Sequence, residues 1–216
     1  MRNLRANRQG FTLVELSIVL VIIGLIIGAV LTGQQIIQNA RVTSALNTIQ
    51  AYEAQFQTYV QNYGAMPGDD ANAQNRFPGT TIDHHGDGSG SLDGGGFDST
   101  TATDETVFIW THLRAAGLVK NQISNSSTGV QPPNPFNGIY GFQTGAFKGA
   151  FTTTVLCMDK VPASAAEAID SRLDDGASDS GSVRAMAYTG NPGVVNTTAV
   201  ANSYGDAQTF TLCIRM

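Results

Sequence analysis

The feature that most restricts this chain is an apolar run from Phe11 to Leu31 that carries a single charge, Glu15. As a helix rising roughly 1.5 Å per residue it is about 31 Å long, which matches a hydrocarbon core of about 30 Å. A carboxylate at that depth costs roughly 2.5 to 3.5 kcal/mol on insertion scales, so Glu15 requires a partner. Residues 1–10 hold Arg2, Arg5 and Arg8 and no acid. The positive-inside rule places them in the cytoplasm and the chain beyond Leu31 outside it. An ordinary secretory signal has a shorter apolar part followed by an Ala-x-Ala-like site, and this run fits neither criterion.

The stretch Gln9-Gly10-Phe11-Thr12-Leu13-Val14-Glu15-Leu16, with its basic leader before and apolar run after, resembles the processing signature of type IV prepilins and of type II secretion pseudopilins. The resemblance implies that a membrane-embedded prepilin peptidase cuts after Gly10 and methylates the new amine at Phe11. It also implies that Glu15 neutralises the amino terminus of a neighbouring subunit while an inner-membrane assembly platform stacks copies or relatives into a helical filament. The physical argument runs the same way: an amine at Phe11 and a carboxylate one turn on are each expensive in lipid alone, and pairing between subunits relieves both. Relatives often carry a proline where this chain has Thr32, so the place of any unwinding in the helix stays open.

Beyond Leu31 the periodicity continues as an amphipathic helix. Val42, Leu46, Ile49, Tyr52, Phe56, Tyr59 or Val60, and Tyr63 recur at steps of three and four, which predicts one long helix to about Tyr63 with an aromatic stripe laid on a globular head. Pro67 and its flanking glycines end it. An irregular connector is expected from Gly64 to about Thr103. A short helix follows from Asp104 to Ala116, with Thr103 as N-cap, Ile109, Trp110, Leu113 and Ala116 facing inward, and Gly117 as its stop. That segment resembles the Trp-x-x-Leu-x-x-Ala-Gly-Leu element of larger prepilin-like proteins. Strands are expected at Tyr140–Phe142, Ala150–Met158, Ser182–Tyr188 and Gln208–Met216, with a helix over Ala163–Leu173 opened by Pro162. The expected fold is α+β and pilin-like: a long N-terminal helix packed on a small antiparallel sheet. The expected organisation is a leader at 1–10, a membrane or filament-core helix at 11–31, an amphipathic half at 32–63 and an extracytoplasmic head at 64–216.

Without the leader, nine basic side chains face 17 acidic ones, a formal charge of −8, which gives no footprint for nucleic acid. Cys157 and Cys213 share no metal-type spacing, and in an oxidising compartment a disulfide between them is expected, two buried thiols being the alternative. If they lie on adjacent antiparallel strands, the bridge ties the terminal strand into the sheet. The Asp and Gly cluster at 83–94 invites a calcium reading. Counting from Asp87, oxygen donors fall at Ser89, Ser91, Asp93 and Asp98, the EF-hand-like positions one, three, five, seven and twelve. Leu92 stands where that pattern needs glycine, and a polar turn-rich loop is the plainer reading. His84 and His85 read as an exposed loop pair, and Asp170, Asp174 and Asp175 as a helix-ending turn. No nucleophile elbow, phosphate loop or zinc helix is present in the sequence, so an enzyme is not expected. The expected function is structural: a pilin or minor pilin, held first as a single-pass inner-membrane protein and then assembled into a pilus. The alternatives are a periplasmic pseudopilus subunit of type II secretion and a calcium-dependent adhesin head on a pilin stem.

Overall fold

The computed structural model describes residues 12–78, 85–120, 131–190, 200–201, 203–205 and 209–216. The chain separates into two compact units, residues 1–40 and 41–216. The first helix, α1, is continuous from Leu13 to Tyr63, as the unbroken three-four periodicity predicts. In the first unit its side chains are exposed from Leu13 onward. In the second unit one face is buried at Val42, Ala45, Ile49, Phe56 and Tyr59.

The expected connector is not wholly irregular, because a single turn, α2 (Ala73–Arg76), forms within it. The next helix, α3, covers Glu105–Ala115. Its N-cap residue is Asp104 and not Thr103. The Asp104 carboxylate makes no cap; it accepts from the Gly95 N–H at 2.8 Å and from Ser99 Oγ at 2.5 Å, which ties the preceding loop together. The C-terminus is a Schellman arrangement: Gly117, at φ +73°, donates to the Arg114 carbonyl and Leu118 donates to that of Leu113. Gly117 supplies the left-handed residue this ending needs.

Four strands follow: β1 (Tyr140–Ala146), β2 (Phe151–Pro162), β3 (Val183–Ala187) and β4 (Thr209–Arg215). Between β2 and β3 lies α4, over Ala163–Leu173, with Pro162 as its N-cap residue. The sheet is antiparallel throughout, in the order β1-β2-β4-β3. β1 runs further than the sequence pattern suggests, because ladder pairing from Thr144↔Thr154 to Ala146↔Phe151 carries it to the turn at Phe147–Gly149, and β2 runs on to Pro162 at its other end, where Val161 and Pro162 pair with Phe210 and Thr209 of β4. Gln208, expected in the last strand, lies outside the described residues.

Alternation along the strands separates two apolar layers. Leu156, Met158, Leu212 and Ile214 join the layer under α1 and α3. Val155, Cys157 and Cys213 join a second layer on the other side, with Phe97, Phe147, Phe151 and Met186. Cys157 and Cys213 are directly opposite one another in the β2–β4 ladder and form the disulfide, 56 residues apart in sequence. The bridge therefore holds the C-terminal strand in the interior of the sheet, since β4 is flanked by β2 and β3.

The aromatic stripe of α1 is packing. Tyr52 meets Trp110 and Tyr140 edge-on at 5.0 and 5.4 Å, and Phe56 stacks on Phe142 at 5.7 Å. Pairs of this geometry add roughly 0.5 to 1.5 kcal/mol each beyond the area they bury. They fasten helix, α3 and sheet into one core.

Candidate functional site

Helix α1 begins with a reciprocal cap. The Thr12 backbone N–H and hydroxyl both donate to Glu15 Oε2, at 2.8 and 2.9 Å, while the Glu15 N–H donates to Thr12 Oγ1 at 3.2 Å. This is a capping box, which satisfies amides that the helix itself leaves unpaired. Around it stand exposed apolar side chains, Leu13 at 87% and Leu20 at 69% among them. The helix is long and apolar enough to cross a membrane. The next acid along the chain is Glu53. Among the described residues, Glu15 is thus the one carboxylate on the exposed apolar stretch of α1. Gly10 and Phe11 lie outside the described residues.

The acidic loop takes a different course from an EF-hand. Leu92 is buried, and its N–H donates to Thr144 Oγ1 on β1 at 2.7 Å. Phe97 is fully buried, its N–H donating to Gln143 Oε1 at 2.9 Å. These two anchors pull the loop onto the sheet, so Asp87, Asp93 and Asp98 do not converge as the sequence spacing suggests. Asp87 instead meets Asp69 and Glu105, with one oxygen from each within 4.8 Å of the others. Glu105 accepts from the Asp87 and Asp93 amides at 3.0 and 2.8 Å. Asp69 accepts from those of Ser89 and Gly90 at 2.9 and 2.8 Å. Burial pushes the carboxyls of Asp69 and Glu105 up, against the pull of these amides. The Ser89 amide, followed by its hydroxyl, holds exposed Asp87 down. His85, at the edge of the same loop, pairs its Nδ1 with the Gly86 carbonyl at 3.1 Å, while His84 is outside the described residues. At the end of α4, the carboxylates of Asp170, Asp174 and Asp175 also converge. They serve Tyr204 at 2.7 Å, the amides of Ser182 and Val183, and Ser180, as a helix-ending turn would.

Residues 5–31 match the family model of the prokaryotic N-terminal methylation motif. The chain carries the signature of the type IV prepilin and pseudopilin family. No curated protein matches it. The motif implies processing by a prepilin peptidase and assembly with other pilin-type subunits. Members of the family are structural subunits. The exposed apolar helix is consistent with single-pass anchoring in a membrane.

The part of the chain beyond α1 also contains polar residues that sequence reasoning passed over. His112 is fully buried on α3 and its Nδ1 accepts the Gly68 N–H at 2.9 Å, an arrangement that needs the neutral ring. Gly68 sits at φ +95°, and a Cβ there would lie 2.8 Å from the Glu105 carbonyl, so only glycine lets the connector approach this closely. Buried Asp70 accepts from Tyr59 Oη at 2.9 Å and from Arg76 Nε at 2.8 Å. Pro67-Gly68-Asp69-Asp70 thereby fastens the end of α1 to α3. The only signal in the sequence was that Pro-Gly-Asp-Asp turn, which says that a turn occurs and nothing about what it touches.

Proposed function

We propose that this protein is a structural subunit, a pilin or minor pilin, of a type IV pilus-like filament. The observation that supports this best is the methylation motif at residues 5–31 running into an exposed apolar helix whose single charge is Glu15. In this reading the peptidase cuts between Gly10 and Phe11 and methylates Phe11. The chain waits in the inner membrane with its head outside, and the assembly platform then draws it into the filament. Apolar helix faces drive association, and the Phe11 amine of one copy meets Glu15 of the next.

Gly10→Ala is expected to leave an uncleaved precursor in the membrane, seen as the intact N-terminal peptide by mass spectrometry. A precursor still trimmed at Phe11 overturns the processing site. Quantifying the protein in sheared surface filaments decides the destination. Abundance there fits a major pilin and trace amounts fit a minor one. Absence from surface filaments, with retention in the cell envelope, favours a type II secretion pseudopilin.

A second reading, a calcium-dependent adhesin head on the pilin stem, is favoured by the meeting of Asp69, Asp87 and Glu105. Three like-charged groups, two of them largely withdrawn from water, gain from a dication with oxygen ligands. Under this reading, calcium at about a hundredfold over its dissociation constant adds about 2.7 kcal/mol to stability. The thermal midpoint of the full chain then rises by several degrees, and chelation reverses the rise. A midpoint indifferent to calcium and chelator overturns it.

A further inference from the structure

His112 differs from the exposed His85 in being fully buried, on α3, with the rings of Tyr59 and Phe108 each stacked against it at 6.3 Å. Its Nδ1 accepts the Gly68 N–H, so the ring is neutral and carries its hydrogen on Nε2. A protonated imidazole has a hydrogen on both nitrogens and would face the Gly68 amide donor to donor. Protonation and this hydrogen bond therefore exclude one another.

The turn that His112 holds in its own turn holds a loop. The Asp69 and Asp70 carbonyls accept from the Gly88 and Gly86 amides at 3.1 and 3.2 Å, and the Asp69 carboxylate accepts from those of Ser89 and Gly90. A Cβ on Gly86 would lie 2.2 Å from Asp69 Cα, so the two segments are pressed together. We propose that His112 is an acid-operated latch: when its ring takes a proton, the turn at 67–70 leaves α3 and loosens the loop at 86–90, while the core of α1, α3 and the sheet stays folded.

The core is spared because the contacts of Tyr52, Trp110 and Tyr140, and of Phe56 with Phe142, include no group that titrates between about pH 5 and 7. The titratable and charged groups on the elements around the ring are few. α1 supplies Tyr59, whose hydroxyl is kept protonated by burial and then by its bond to Asp70. The connector supplies Asp69 and Asp70, α2 supplies Arg76, which pairs with Asp70, and α3 itself carries Glu105 and Arg114. On β1 the one titratable residue is Tyr140. Tyrosines and arginines keep their charge where an imidazole titrates, near about pH 6.5; Asp69 and Glu105, whose carboxyls burial pushes up, are the rival sources of an acid response. The open turn binds a proton that the docked one does not. Docking is therefore fully present above about pH 6.5 and weakens by up to about tenfold for each pH unit below it.

The test follows hydrogen–deuterium exchange of the full-length chain in detergent micelles from about pH 7.5 to about pH 5, with rates corrected for the intrinsic effect of pH. Peptides covering 64–72 and 85–90 are expected to lose protection by about tenfold per pH unit below about pH 6.5, whereas those covering α3 and β2 keep theirs. His112→Gln retains an acceptor for Gly68 and takes up no proton, so its turn is expected to hold its protection across the same range. A Gln variant that still loosens in acid moves the response to Asp69 or Glu105 and overturns the proposal. So does a parent turn whose protection is flat with pH, or a loss shared by all peptides at once, which is unfolding and not a latch. Where His112→Gln fails to fold, nuclear magnetic resonance of isotope-labelled histidine in the parent decides. Titration of the His112 ring in step with the loss of turn protection supports the latch, and a ring that stays neutral while the turn opens overturns it.

Discussion

Glu15→Ala is expected to yield a chain that is processed normally and is lost from filaments. On the proposed reading the cut after Gly10 precedes the helix and does not need the carboxylate, so the N-terminal peptide keeps its processed mass. Assembly is another matter, because on that reading the amine at Phe11 of the variant would enter an apolar interior with no counter-charge. Removing one member of a buried charge pair costs about 3 to 5 kcal/mol. At about 1.4 kcal/mol per tenfold, that corresponds to a loss of roughly a hundredfold or more in sheared filaments. The alanine also removes the capping bonds to Thr12, worth about 0.5 to 2 kcal/mol, so a second variant separates the two effects. Glu15→Gln keeps a side-chain oxygen that can accept from Thr12 and drops only the charge. Failure of both variants assigns the role to charge pairing, and rescue by Gln assigns it to the cap. Wild-type incorporation of Glu15→Ala removes any role for Glu15 in assembly.

The second large effect is expected from the disulfide. Cys157→Ala with Cys213→Ala opens a loop whose ends lie 56 residues apart, and in the chain-entropy model that releases about 4 kcal/mol of unfolded-state restraint. The bridge joins two interior strands, β2 and β4, at a position with no exposure on either side, so the cost falls on the whole sheet rather than on a fraying edge. Detergent-solubilised full-length protein, titrated with denaturant and followed by the fluorescence of the single tryptophan, Trp110, should show a midpoint lowered accordingly. Reducing agent on the parent protein should give the same shift. A double variant with an unchanged midpoint shows that packing alone holds β4 in place.

The long helix, the head it carries, and most of the strands were legible because their signals are local. A three-four apolar repeat from Val42 to Tyr63 reports a helix and its buried face. Pro162 before Ala163–Leu173 and Gly117 after Ala116 report helix ends through φ alone. Asp104 instead of Thr103 at the start of α3 was not legible, since either residue fits the cap and the choice is made by where the chain enters from Asp93 and Ser99. Which carboxylates of the acidic loop meet was not legible for a related reason. Spacing places Asp87, Asp93 and Asp98 on one imagined coil, whereas Leu92 and Phe97 are buried and Asp87 meets Asp69 and Glu105.

Sequence alone determined the membrane-length helix, the lone carboxylate within it and the processing signature, since each depends on residues adjacent along the chain. Tertiary structure decided which side chains from distant segments meet: Cys157 with Cys213 across the β2–β4 ladder, His112 with Gly68, and Asp87 with Asp69 and Glu105. Those meetings depend on sheet order and on which apolar residues anchor each loop, both set by the packing of the whole head and not by any one stretch of it.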